Sequence, residues 1–263
     1  MKSITKTHYT AAELINPQHP VTVALVGVGG TGSQVLNNLA RIHSSLRSLS
    51  HPGLHVTAYD SDVITEANLG RQLFSRAELG MNKANALVTR INRFYGNTWD
   101  AVPLNYNTKN SSAGQNILIT CVDNVSIRKD IGKFFDENGP HSNKYRPEIK
   151  NYYWMDFGNS RNSGQVVLGT YGIIKQPKKV KGTSDKLPTI TTMFPDLERH
   201  EKADQGPSCS LAEALIKQDL FINSTLAQFG CNILWKMFRE LRIQYHGGFI
   251  NLENWNTNPI KIK

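Results

Sequence analysis

One junction near the start of the chain limits what it can fold into. Val21-Thr-Val-Ala-Leu-Val26 is a short apolar run rich in β-branched residues. It breaks into Gly27-Val-Gly-Gly-Thr-Gly32 before a helical apolar rhythm begins at Val35, Leu36, Leu39 and Ile42. The order is strand, glycine turn, helix. Glycines at Gly27, Gly29, Gly30 and Gly32 let a backbone approach a phosphate closely, and the following helix N-terminus supplies N–H donors and positive partial charge. A tight βα turn with no ligand is the plain alternative.

The alternation continues. Residues 54–59 read as a second strand ending at Asp60, and 83–94 as a second helix with Leu87, Val88, Ile91 and Phe94 on one face. Residues 116–122 read as a further strand and 127–135 as a further helix. Such alternation requires right-handed crossovers, so the expected fold is α/β: a doubly wound, mainly parallel Rossmann-like sheet with its ligand at the carboxyl ends of the strands. Gly27, Asp60 and Asp123 all fall at such ends.

Beyond Pro140 the pattern changes. Strands at 152–157 and 165–170, separated by a turn-rich stretch, predict antiparallel C-terminal additions to the sheet. Residues 175–206 show no period and read as a long surface loop. Residues 211–241 read as helix broken near Gln218, and 245–250 as part of a hairpin. Residues 1–20, ending in Pro17 and Pro20, read as a loosely attached arm before a single domain at 21–263.

The chain has 263 residues, a length that suits one large α/β domain. Its net charge is +9, but Lys and Arg are dispersed with no run of five. The densest cluster, Lys175, Lys178, Lys179, Lys181 and Lys186, reads as a solvated loop, so direct nucleic-acid binding is not expected. An acidic protein or the phosphates of ATP would use the same field. Three cysteines, Cys121, Cys209 and Cys231, give neither a disulfide framework nor a CxxC pair, so no zinc is expected and a cytoplasmic location is. The apolar stretch at 21–30 is too short to span a bilayer and lacks a signal-peptide layout.

Up to Asp60, whose position suits a ribose hydroxyl, NAD and ATP are indistinguishable. The next residues separate them. Asp60-x-Asp62, Asn68-Leu69-x-Arg71-Gln72, Gly80-x-x-Lys83 and Cys121-Val-Asp123-Asn124-x-x-x-Arg128 follow in order. Together they resemble the ThiF, MoeB and ubiquitin-activating-enzyme superfamily. A weaker match, Asp156-Phe-Gly with Gly164-Gln-Val, extends it.

That resemblance implies ATP-dependent adenylation of the C-terminal carboxylate of a small ubiquitin-like, β-grasp protein. It implies Arg71 and Lys83 as the phosphate-binding pair and Asp123, beside Asn124, as the Mg²⁺-associated aspartate. Asn68 and Gln72 would hold phosphate or adjacent groups through neutral hydrogen bonds, while Asp62 has no assigned part. The charges make sense for the reaction, because a carboxylate attacking an anionic phosphate needs cations to offset the repulsion. The resemblance also implies a homodimer, a nucleotide-binding half at about 21–140 and a partner-binding, crossover-loop half at about 141–263.

Cys209, in Pro207-Ser-Cys-Ser-Leu-Ala-Glu213, sits where ThiF-like proteins have a cysteine before a helix start. It is therefore a candidate acceptor of the activated acyl group, with an incidental thiol as the alternative. Gly206-Pro-Ser-Cys-Ser and Lys217-Gln-Asp-Leu-Phe-Ile-Asn223 are similar to the ThiF-related member of the bacterial PRTRC cassettes. Three departures stand out. The CxxC pairs of the family are missing, the arm has no arginine, and Ala212-Glu213-Ala214-Leu215 replaces an Ala-Gly. The alternatives are substitution by Lys2 or Lys6, a contribution from Arg76 or elsewhere, or no such contribution. Two readings compete with adenylation: an NAD(P)-binding oxidoreductase, and a non-catalytic module that binds a ubiquitin-like partner.

Overall fold

Strands β2 (Val21–Val26) and β5 (Ile117–Thr120) are almost wholly apolar, and these two with β8 (Tyr153–Asn159), buried through Phe157, are the inner strands, as central strands of a parallel sheet covered by helices must be buried. The computed structural model describes residues 5–108, 114–138, 142–143, 146–196 and 218–263. The first elements are β1 (His8–Tyr9), α1 (Ala12–Ile15), α2 (Gly30–Ser48), β3 (Leu54–Tyr59), α3 (Lys83–Tyr95) and β4 (Asp100–Val102). Then come α4 (Val125–Asn138), β6 (Ser142–Asn143), β7 (Arg146–Lys150), β9 (Ser163–Thr170) and α5 (Ile190–Met193). The chain closes with α6 (Ile222–Arg239), β10 (Arg242–Ile243), β11 (Tyr245–Asn251) and β12 (Asn256–Lys261).

Eight strands form one sheet in the order β12-β11-β9-β8-β5-β2-β3-β4. The five strands β8-β5-β2-β3-β4 are parallel. Chain order runs outward from β2 to β3 and β4, then restarts on the other side with β5 and β8, so it reverses between β2 and β5. That reversal opens a crevice at the carboxyl ends of the two strands. One apolar cluster joins α2, α3 and α6 to one face of the sheet. A smaller cluster places Ile131 of α4 and Ile190 of α5 with Leu118 and Trp154 on the other.

The doubly wound sheet and its antiparallel C-terminal strands agree with the expectation, with three differences. Strand β8 pairs in parallel with β5, so the antiparallel addition begins one strand later, at β9. The edge strand β4 was not foreseen, because three residues carry no readable period. The arm, expected to hang loosely, is tied down from residue 6 onward. Tyr9 and His8 pair with β10, Lys6 N–H donates to the Ile262 carbonyl, and Thr10 Oγ1 donates to the Met237 carbonyl at 2.8 Å. Of the helix expected at 211–241 with a break near Gln218, the structure has α6 from Ile222 to Arg239, and residues 211–217 lie outside the described residues.

Buried His8 anchors this arm. Its Nδ1 lies 2.7 Å from the Ser184 carbonyl and its Nε2 3.0 Å from the Tyr153 hydroxyl, which also accepts from Ala11 N–H at 2.9 Å. A neutral ring fits both bonds: Nδ1–H donates to Ser184 and Nε2 accepts from Tyr153. Burial, only partly offset by the Ser184 carbonyl, pushes the imidazole below its ordinary 6.5. A depressed histidine contributes stability above the unfolded value and loses it as pH falls from there toward the folded value. The thermal midpoint is therefore expected to fall as pH drops below about 6.5. His8→Gln should flatten part of that slope in melts taken across the range, and buried His246, also depressed by burial, should account for more.

Among the described residues no helix is long and apolar enough to cross a membrane.

Candidate active site

The glycine turn lies in the crevice, and its four glycines do different things. Gly27 has φ +86° and a Cβ there would sit 2.7 Å from the Cys121 carbonyl oxygen, so β2 leaves the sheet pressed against the end of β5. Gly30, the first residue of α2, lies under the Asn223 side chain, 2.6 Å from where its Cβ would be, and a Cβ on Gly32 would collide with the Gly27 carbonyl. Gly29 has no atom within 4 Å of its Cβ position. It is the glycine whose backbone faces open space. Helix α2 starts without a side-chain cap and with no acidic residue in its first turn, so its leading N–H groups and dipole remain available to an anion.

Asp60 braces the turn. Its Oδ2 accepts from Val28 N–H at 2.6 Å and its Oδ1 from Asp62 N–H at 2.9 Å. Burial raises its pKa, while those two backbone bonds and Lys83 pull the other way. The carboxylate thus stands at the crevice, as a ribose-binding residue would, with two of its lone-pair sites already used.

Asp62, unassigned from sequence, has a clear partner. Lys83 Nζ donates to Asp62 Oδ2 at 2.8 Å, and Lys83 is only 7% exposed. The local fold makes this pair. Asn82 caps α3 by accepting from Asn85 N–H, and its amide nitrogen donates to the Asp60 and Asp62 carbonyls, so the helix start is sewn to the turn after β3.

Arg71 is held differently. Its Nη1 donates to Gln218 Oε1 at 2.6 Å, its Nε is buried with no partner, and burial lowers its pKa from the ordinary value. Among the described residues no carboxylate pairs with it. Gln72 is buried beside it in sequence, with Oε1 likewise unpartnered. Asn68 Oδ1 serves a local capping box, accepting from Thr65 N–H at 2.9 Å and Thr65 Oγ1 at 3.2 Å. Asp123 and Asn124 are exposed just after β5, and Asn124 Oδ1 accepts from Ser126 N–H at the start of α4. Cys209 lies outside the described residues.

Four residues, Gln218, Asn223, Thr31 and Asn159, had no site role in the sequence reading. Gln218 Oε1 also accepts from Asn223 Nδ2 at 2.9 Å, and Asn223 Oδ1 in turn accepts from Thr31 Oγ1 at 2.9 Å and Asn159 Nδ2 at 2.5 Å. This relay joins the Arg71 block, the N-termini of α2 and α6, and the end of β8. Beneath the crevice, Arg128 Nε meets Asp156 Oδ1 at 2.9 Å, and Nη2 donates to the Val122 and Phe157 carbonyls, fixing the loop that presents Asp123.

The residues fit a nucleotide. An open glycine backbone, an uncapped helix N-terminus and a guanidinium with a buried free N–H form a cradle for a polyphosphate. Among the described residues no group of three ligating side chains forms a metal cage. Mg²⁺ needs no cage where one exposed carboxylate such as Asp123 and the substrate's own phosphates supply its oxygens.

The description "ThiF family" matches residues 18–234. The chain belongs to that family. A 134-residue stretch is 26% identical to the "ATP-dependent ubiquitin transferase-like protein Cap2" of Enterobacter hormaechei subsp. hoffmannii (strain UCI 50), covering 48% of this chain and 20% of Cap2. The fold resembles E. coli MccB (TM-score 0.60, 15% identity, 95% of this chain and 63% of MccB). It also resembles PaaA (TM-score 0.58, 14% identity, 92% and 73%). MccB has also been solved with ATP, and in that form the TM-score is 0.57 at 15% identity, over 95% of this chain and 65% of MccB. The chain thus spans a fifth of Cap2 and less than two thirds of MccB.

Proposed function

We propose that this ThiF-family chain binds MgATP at the switch point between β2 and β5 and adenylates the C-terminal carboxylate of a small ubiquitin-like, β-grasp protein. The observation that carries the reading is Gly29, whose backbone opens onto free space between jammed neighbours while the uncompensated Arg71 belongs to the same crevice. Two buried or half-buried cations beside the glycine turn suit a triphosphate's charge better than the pyrophosphate of NAD. Cap2's description as ATP-dependent and ubiquitin transferase-like, and the MccB structures with ATP and with MccA, support the ATP-plus-acyl-substrate reading.

In this reaction an oxygen of the partner's carboxylate attacks the α-phosphorus, the bond to the bridging oxygen breaks, and pyrophosphate leaves with that bond's electron pair. Two anions must meet, so the protein's part is charge placement. The N-terminus of α2 and the Gly29 backbone receive phosphate oxygens, Arg71 adds a bidentate-capable cation, and Asp60 meets the ribose. Lys83, balanced by Asp62, adds less net charge than Arg71. Mg²⁺, when bound on Asp123, would neutralise phosphate charge. Cys209 is the proposed acceptor in a later transfer, and a homodimer in the cytoplasm the proposed setting.

Purified protein with MgATP and a β-grasp protein ending in glycine should exchange labelled pyrophosphate into ATP only when that partner is present. Absence of partner-dependent exchange, or tighter binding of NADH than of ATP in a fluorescence titration, overturns the reading.

A further inference from the structure

The two cations of the phosphate-binding pair are treated oppositely. Lys83 is matched one-to-one by the Asp62 carboxylate, with Nζ and Oδ2 2.8 Å apart. Arg71 is held just as firmly, at 2.6 Å, but by a neutral amide. The difference matters because an ion pair cancels much of a cation's field, whereas an amide oxygen fixes geometry and leaves the charge whole.

The amide is itself fixed. Gln218 Oε1 is shared between Arg71 Nη1 and Asn223 Nδ2. Asn223 is 1% exposed, lies over Gly30, and bonds Thr31 in the first turn of α2. Arg71 is thereby placed relative to the helix N-terminus through two amides. Its Nε remains buried without a partner. A buried donor left unpaired is costly, and an incoming anion oxygen would satisfy it.

We infer that Gln218 is a positioning residue for the proposed nucleotide site: with Asn223 it holds Arg71 against the N-terminus of α2 through an uncharged acceptor, so that the full guanidinium charge is kept for the triphosphate. The inference rests on the ATP reading above. It explains why a glutamine, and not a carboxylate, meets this arginine. It also makes Asn223 the coupling between Gln218 and the glycine turn.

Gln218→Glu keeps the acceptor and nearly the same shape but supplies the missing counter-charge. Equilibrium binding of MgATP and of adenosine to the purified full chain separates positioning from mere structure, because adenosine has no phosphate for Arg71 to meet. Gln218→Glu should weaken ATP about tenfold or more while leaving adenosine within about twofold. Gln218→Met, which removes the acceptor without adding charge, should weaken ATP by a smaller factor, again sparing adenosine. In Arg71→Met the further effect of Gln218→Glu on ATP should largely vanish.

Equal losses for ATP and adenosine, or unchanged ATP binding in Gln218→Glu, overturn the positioning role while wild-type ATP binding leaves the nucleotide reading standing. Should Gln218→Glu fail to fold, judged by its thermal melt, the Gln218→Met ratio decides alone. A wild type that binds adenosine and ATP equally overturns both, and the wild-type ratio identifies that case.

Discussion

Arg128→Met is expected to lower the unfolding free energy by about 3–5 kcal/mol, because removing one member of a buried ion pair leaves the other charge uncompensated. Asp156 is fully buried, with Oδ1 shared by Arg128 Nε and Thr120 Oγ1 and with Oδ2 already lacking any partner. The melt should fall by on the order of 10 °C. Its pH dependence identifies the cause. Burial already raises the Asp156 pKa and the Arg128 charge is the main opposing influence, so the variant raises it further. A carboxyl raised in the folded state contributes fully below its unfolded value, about 3.8, and loses that contribution as pH climbs toward the folded value. The deficit of Arg128→Met relative to wild type should therefore shrink in acid, and Asp156→Asn in the same background should recover most of it. A pH-independent deficit would point instead to lost packing around the guanidinium stem.

Asp123→Ala should reduce partner-dependent pyrophosphate exchange by about a hundredfold or more, the scale expected when a group that organises charge at a reacting phosphate is removed. Asp123 is exposed and follows β5 in a loop held from below by Arg128, so the melt should hardly change. That separation of activity from stability distinguishes it from Arg128, whose loss disturbs both. Asp123→Asn, which keeps an oxygen but not the charge, should fall between alanine and wild type. Exchange by Asp123→Ala within about threefold of wild type would remove Asp123 from the reaction.

How much was legible in the sequence follows from what each signal depends on. The strand, glycine turn and helix at 21–48, and the strands ending at Asp60 and near Asp123, were readable because apolar period and glycine position are local properties. The expectation of polyphosphate chemistry at 60–72 came from the order and spacing of that block, which resemble those of the ThiF superfamily. The Lys83–Asp62 pair was out of reach, since it depends on Asn82 bringing the start of α3 back to the turn after β3. Gln218 and Asn223 stand in a stretch that carries a resemblance but no sign of a site role. They meet Arg71 and Thr31 across 147 and 192 residues, contacts set by how α6 packs on α2. The sequence also placed an unattached arm where the structure has a fastened one, because His8 and Thr10 look like ordinary polar residues until Tyr153 and Met237 are beside them.

That fastened arm has a consequence for how the chain is made. Everything His8, Thr10 and Lys6 hold on to, from Tyr153 through Met237 to Ile262, is encoded long after them. At ribosomal speeds the interval between the synthesis of His8 and of its ladder partner Ile243 is on the order of ten seconds or more. During vectorial synthesis Lys6, His8 and Thr10 lack these partners while the β2-to-β5 layer is already able to pair. Lys6, His8 and Thr10 are thus able to find their places only long after the glycine turn has been made.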